Sequence, residues 1–181
     1  MYPVTLTGRT VVLREFRPDD AAGAFQIFGD DTVTAWLSFD SRSRDEVTAL
    51  INAAIERAKQ EPRTEYYLAV TLPEADELIG FARLGFNGVQ AAKLGYAIRA
   101  DQWGHGYATD AARTLIRFGF ETLGLHRISA AIGPDNQSSV AVVKNLGMQY
   151  EGRVRHHVYT SGAWRDSLLF GLLADEVQVQ P

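Results

Sequence analysis

The order of β-rich and helix-patterned segments predicts a mixed α+β domain. Three observations carry this. Residues 66–72 (YYLAVTL) and 78–86 (LIGFARLGF) are parted only by PEADE, a turn signal, and so form an antiparallel hairpin. Two more β-rich runs, 154–159 and 164–172, flank a Ser-Gly turn and form a closing hairpin. Helical stripes occur only elsewhere, giving the order β α α β β β α β α β β. A doubly wound sheet would need a helix between nearly all strands.

The elements follow in order. Residues 10–16 (TVVLREF) form the first strand. Pro18, Asp19 and Asp20 open a short helix over 21–28, with acids at its positive end. From Arg44, apolar residues at Val47, Leu50, Ile51, Ala54 and Ala58 have the spacing of an amphipathic helix. After the first hairpin, residues 94–98 (LGYAI) form the fourth strand. Ala108, Ala111, Ala112, Leu115, Ile116, Gly119 and Leu123 make a second helical stripe. Residues 127–132 (RISAAI) form the fifth strand, ended by GPDN, and 138–146 form a short helix with Gly147 as its stop.

Composition narrows the function. The chain has 181 residues, 46% apolar and 22% charged, which fits one globular domain spanning 1–181, and no linker or repeat interrupts it. A net charge of −4 speaks against bulk nucleic-acid binding, although a local basic cluster could hold one anionic ligand. With no cysteine, disulfides, thiolate metal sites and a cysteine nucleophile are excluded. The start, MYPVTLTGRT, lacks a signal-peptide core, and no apolar run is long enough to span a bilayer, so a soluble, cytoplasmic protein is expected.

The stretch DQWGHGYATD (101–110) lies between a strand and a helix. The first N–H groups of that helix lack intrahelical partners, its dipole is positive there, and Gly104 and Gly106 let a ligand approach the backbone. Such an end suits a phosphate. A Walker loop would require Gly-Lys-Ser/Thr, absent here. A Rossmann fingerprint would need a third glycine where Thr109 stands and an acid after the next strand, also absent.

Gly104-His105-Gly106-Tyr107-Ala108 after LGYAI resembles the acyl-CoA pyrophosphate loop of the GCN5-related N-acetyltransferase (GNAT) superfamily, Gln/Arg-x-x-Gly-x-Gly/Ala, with Trp103 in the usual polar position. NQSSVAVVKNLG (136–147) resembles the superfamily's later motif through Asn136, Ser139, Lys144 and Gly147. LREFRPDD, GLHRI and GAWRDSLLF are similar to the branch that acetylates ribosomal-protein amino termini.

The resemblance implies the GNAT fold: a twisted, mixed, mostly antiparallel sheet with helices on both faces and its fourth and fifth strands splayed apart. It further implies acetyl-CoA (coenzyme A) as donor, with pantetheine bonding to backbone near Ile98 and Ala100 and the pyrophosphate on residues 103–109, from Trp103 through Gly104, His105, Gly106, Tyr107 and Ala108 to Thr109. Lys144, Arg99 and Arg113 are the cations nearest in sequence for the nucleotide phosphates. The implied reaction is direct attack of an amine on the thioester. Backbone N–H groups near Tyr96 to Ile98 would stabilise the oxyanion, Ser139 would assist the leaving thiol, and Asn136 would orient Ser139 or the pantetheine. The acceptor is an amine of a protein or peptide terminus or of a small molecule, and a non-catalytic acyl-CoA-binding module is a third reading; a homodimer is also open.

The general base is not fixed by sequence. An α-amine (pKa about 8) costs on the order of 1 kcal/mol to deprotonate at pH 7, a lysine 4 to 5 kcal/mol, so water or a weak base suffices for the former. Where some relatives carry acids, this chain has Lys93 and Val158, leaving Glu65, His156, His157 and Asp166 as candidates. The adjacent histidines point to opposite faces of a strand and cannot chelate one ion, so no metal is expected. Trp36 is a candidate wall of the amine pocket, and Trp164 reads as core or interface.

Overall fold

Eight strands form one sheet in this computed structural model, which describes residues 1–177. They are β1 (Thr5–Thr7), β2 (Val12–Glu15), β3 (Glu65–Thr71), β4 (Leu78–Gly88), β5 (Ala91–Ile98), β6 (Arg127–Ile132), β7 (Gln149–Thr160) and β8 (Ala163–Leu173). Their spatial order is β1-β2-β3-β4-β5-β6-β8-β7, and only the β5–β6 pair is parallel. Five α-helices accompany the sheet: α1 (Ala21–Phe28), α2 (Asp31–Thr34), α3 (Arg44–Ala58), α4 (Tyr107–Glu121) and α5 (Gln137–Asn145).

Strand alternation assigns side chains to two cores. On one face Leu68, Val70 and Leu84 pack with Leu115 and Ile116 of α4 and with Val140 and Val143 of α5. On the other, Ala69, Phe81 and Ala97 pack with Ile27 and Phe28 of α1 and with Val47 and Ile51 of α3. The expected α+β architecture with helices on both faces is therefore the observed one.

Local chemistry sets the boundaries. Ser43 and Glu46 form a capping box at the start of α3, and Gly147 follows α5 at φ 81°, the left-handed turn that ends a helix. Asp20 does more than face a helix dipole: it is buried and takes both Nη atoms of Arg14, at 2.8 and 2.9 Å. Two short elements, β1 and α2, are additions to the expected order, so the expected fourth and fifth strands are β5 and β6.

Those two strands do part. Their pairing runs only from Ala91 opposite Arg127 to Leu94 opposite Ala130. Beyond it, β5 stays with β4 as far as Ile98, while Ala131 and Ile132 stay with β8. Among the described residues no helix is long and apolar enough to cross a membrane.

Candidate active site

Where β5 and β6 separate, a cleft of about 1340 Å³ opens. One end is walled by the loop before α4 and by the first turns of α5. The other reaches Trp36, Phe39 and Arg42 after α2, Arg57 of α3, and Glu65, Tyr67 and Arg83 on β3 and β4. Lys93, Gly95, Tyr96 and His157 also line it.

The loop has the form of a cradle. Gly104 and Gly106 have φ of 81° and 79°, and a Cβ on either would meet nothing within 4 Å, so space lies open above both. Asp110 N donates to the Gly106 carbonyl at 3.1 Å as the first turn of α4 closes. The N–H groups of Tyr107, Ala108 and Thr109, one turn earlier, are the orphan donors of the helix, at its positive end and on the cleft. This arrangement fits a pyrophosphate. Asp110 itself fixes the helix end from behind, accepting from Thr10 N (2.7 Å), Thr10 Oγ1 (3.1 Å) and Val11 N (3.3 Å).

Trp103 is half-exposed, and its Nε1–H donates to the Ile98 carbonyl at 2.7 Å. The aromatic residue thus braces the loop against the end of β5, and it also occupies one of the backbone acceptors expected for pantetheine. Ala100 lies in a 3-10 turn outside the cleft lining, beside a shallow groove shared with Arg99 and Asp101. His105 is exposed, stacked on Tyr107 with ring centroids 5.3 Å apart. Lys144 is exposed and off the cleft lining, whereas Asn145 lines it. Arg99 already pairs with Glu77 (2.8 Å) and Asp101 (2.6 Å).

The first turn of α5 brings Asn136 and Ser139 together. Asn136 is the N-cap, and its Oδ1 accepts from Ser139 N at 3.1 Å. The Ser139 carbonyl accepts from Tyr96 Oη at 3.3 Å, and Ser139 lines the cleft. Burial pushes the Tyr96 phenol up to about 12, only partly opposed by the Ser139 side chain, so it remains a donor at neutral pH. Sequence reading did not single Tyr96 out as a side chain. Its position in LGYAI, just before the glycine loop, was the available signal.

Geometry separates the candidate bases. Glu65 lines the cleft but receives Arg57 Nε at 2.6 Å and Arg83 Nε on its other oxygen. Burial pushes its carboxyl up, but the two arginines outweigh this and hold it below its ordinary value. Asp166 accepts from His156 N (2.9 Å) and Arg153 Nε (2.7 Å), bonds that hold it low, and it lies off the cleft lining. His156 is exposed and stacks on Trp164. His157 alone among the four lines the cleft without an ion-pair partner, its Nδ1 2.9 Å from Ser167 Oγ. Burial, helped by the positive charge of Lys93, lowers its pKa and keeps the ring neutral near pH 7. Lys93 and Val158, the positions where acids are missing, both line the cleft, as does Trp36; Trp164 is exposed on β8. Among the described residues no three His, Asp or Glu side chains gather as a metal site.

A parallel strand pair that splays beside an open helix N-terminus is the arrangement of an acyl-CoA-dependent transferase. Residues 10–149 match the acetyltransferase (GNAT) domain model, and the chain belongs to that family. It is an acetyl-CoA-dependent N-acetyltransferase. It is 29% identical to the uncharacterized N-acetyltransferase p20 of Bacillus licheniformis over 95% of this chain and 97% of that protein. It is 31% identical to the Escherichia coli [ribosomal protein uS5]-alanine N-acetyltransferase over 59% of this chain and 57% of that enzyme. Among solved structures it resembles Mycobacterium smegmatis RimJ in complex with CoA-disulfide, with TM-score 0.85 and 27% identity over 97% of this chain and 90% of RimJ.

Proposed function

We propose that the acceptor is the α-amine of a protein or peptide terminus, attacking acetyl-CoA directly. The observation that carries this reading is the continuity and size of the cleft. At about 1340 Å³ it exceeds the roughly 300–1,000 Å³ of a typical small-ligand pocket, leaving room for a chain end beside the pantetheine arm. Relatives named for ribosomal-protein acetylation support the same class of acceptor, and such an acceptor would place the reaction in the cytoplasm.

Bound in the cleft, acetyl-CoA supplies an electrophilic thioester carbonyl. In this reading Gly104, Gly106 and the N–H groups of Tyr107, Ala108 and Thr109 hold its pyrophosphate, with Trp103 fixing the loop. Backbone N–H groups of β5 from Tyr96 to Ile98, on the edge released by β6, stabilise developing negative charge on the carbonyl oxygen. Neutral His157 takes the proton from the amine, directly or through water. Ser139 donates to the departing sulfur, with Asn136 and Tyr96 fixing its backbone. A thiol of pKa about 8.5 needs little more than a hydrogen bond to leave.

The test is free-thiol release from acetyl-CoA over a panel of peptide α-amines, blocked-terminus lysine peptides and small amines. Turnover concentrated on peptide α-amines supports the proposal. Turnover on small amines alone would replace it with the small-molecule reading.

A further inference from the structure

The acceptor end of the cleft is cationic, in a chain whose net charge is −4. Arg42, Arg57, Arg83 and Lys93 line it, against one acid, Glu65. The sheet register explains the concentration. Glu65 lies opposite Gly85 on β4, and Gly85 lies opposite Lys93 on β5, so the three share one cross-strand row. Gly85 has no side chain, and the Arg83 guanidinium folds into that gap: a Cβ on Gly85 would meet Arg83 Nη2 at 3.0 Å. Arg83 is thereby placed between Glu65 and Lys93. Burial and the neighbouring Arg83 both lower the pKa of Lys93, as expected of two cations pressed together.

Glu65 is already shared between Arg57 and Arg83, which leaves positive charge uncompensated. Arg42, on the facing wall, lies over the Phe39 ring at 5.3 Å, and its Nε is buried with no hydrogen-bond partner among the described residues. These cations are remote from the phosphate cradle. Lys93 is five residues from Ile98 along β5, roughly 17 Å at about 3.4 Å per residue.

We propose that the acceptor carries a carboxylate within a few residues of its reactive amine, and that Arg42, Arg83 and Lys93 receive it. The proposal rests on the peptide-acceptor reading and narrows it to acidic amino termini. Polyamines and cationic antibiotics would be repelled by the same surface.

The experiment measures kcat/KM at low ionic strength for peptides with Ala first and Glu, Gln or Lys at the second and third positions. A parallel arm uses small primary amines bearing a carboxylate, no charge or a second amine. The Glu peptide should exceed the Gln peptide by about fivefold to tenfold, mainly through KM, with the Lys peptide lowest, and added salt should narrow the spread. Arg42→Gln and Lys93→Gln should each cost the Glu peptide more than the Gln peptide, and Arg42→Glu should raise the Lys peptide relative to the Glu peptide. Equal or inverted ranking in both arms would overturn the proposal while leaving acetyl transfer to peptides intact. A carboxylate preference among small amines with no peptide turnover would keep the anion site and overturn the peptide acceptor. Absence of turnover on every amine would overturn both.

Discussion

The indole N–H of Trp103 donates to the carbonyl of Ile98 at 2.7 Å, closing a short bridge between the glycine loop and the end of β5. Removing only that donor, with Trp103→Phe, should weaken CoA binding by about threefold to tenfold, the range for one hydrogen bond worth near 1 kcal/mol. Calorimetric CoA affinity checks it; an unchanged affinity would mean that the loop holds its shape without the bridge.

Gly106 separates strain from ligand contact. Its φ of 79° costs an alanine about 1–2 kcal/mol, yet the added Cβ meets no protein atom within 4 Å. Gly106→Ala should therefore lower stability only by that amount, while CoA affinity falls at least tenfold further because the methyl enters the cradle. Thermal melts with and without CoA give the two quantities. Equal losses in both would remove the pyrophosphate from this loop.

His157 and the acceptor amine should both appear in the pH profile. The α-amine, with pKa near 8, must be neutral, so log kcat/KM rises with slope one up to that pH. Burial places the His157 pKa below about 6.5, so the ring is the neutral base above that value and is lost by protonation below it. The slope should steepen toward two in the acid limb and remain one in His157→Gln. A wild-type profile with a single slope throughout would exclude His157 as the base.

Ser139→Ala should lower kcat by about tenfold to a hundredfold with little change in CoA affinity, since the bonds that hold Ser139 in place, from Tyr96 and to Asn136, run through its backbone. Single-turnover thiol release is the measurement. Equal losses in kcat and affinity would mark Ser139 as a binding residue.

Asp110 ties the start of α4 to residues 10 and 11. Burial pushes its carboxyl up, but hydrogen bonds led by that from Thr10 N outweigh this and hold it low. A lowered native pKa means that the unfolded chain takes up the proton first as pH falls. The stabilisation is therefore full at neutral pH and lost through the carboxylate range. Asp110→Ala should cost about 2 kcal/mol at pH 7 and less at pH 3, by denaturant unfolding. A cost independent of pH would refute the ionised role.

The glycine loop, Asn136 and Ser139 were legible because backbone conformation and helix capping depend on neighbours in sequence. The strand runs and both long helices were legible for the same reason: their periodicity is local. β1 was missed because three residues, paired in the sheet with β2 alone, carry no pattern of their own. His157 could not be ranked above Glu65 from sequence, since the arginines that neutralise Glu65 lie 8 residues before it and 18 after. The gathering of Arg83 and Lys93 beside Glu65 needed cross-strand register, which no single segment encodes.

The parting of β5 from β6 also has a consequence for handling the protein. Past Leu94 and Ala130 neither strand pairs with the other in the middle of the sheet, and apart from the Ile98 carbonyl held by Trp103 this is the kind of edge that elsewhere invites another chain to add itself. CoA bound along that edge would complete its hydrogen bonding and shield it from strand addition. Saturation at a hundred times Kd would be worth about 2.7 kcal/mol. Preparations stripped of coenzyme should melt earlier and self-associate more readily than loaded ones, making the donor a folding partner as well as a reagent.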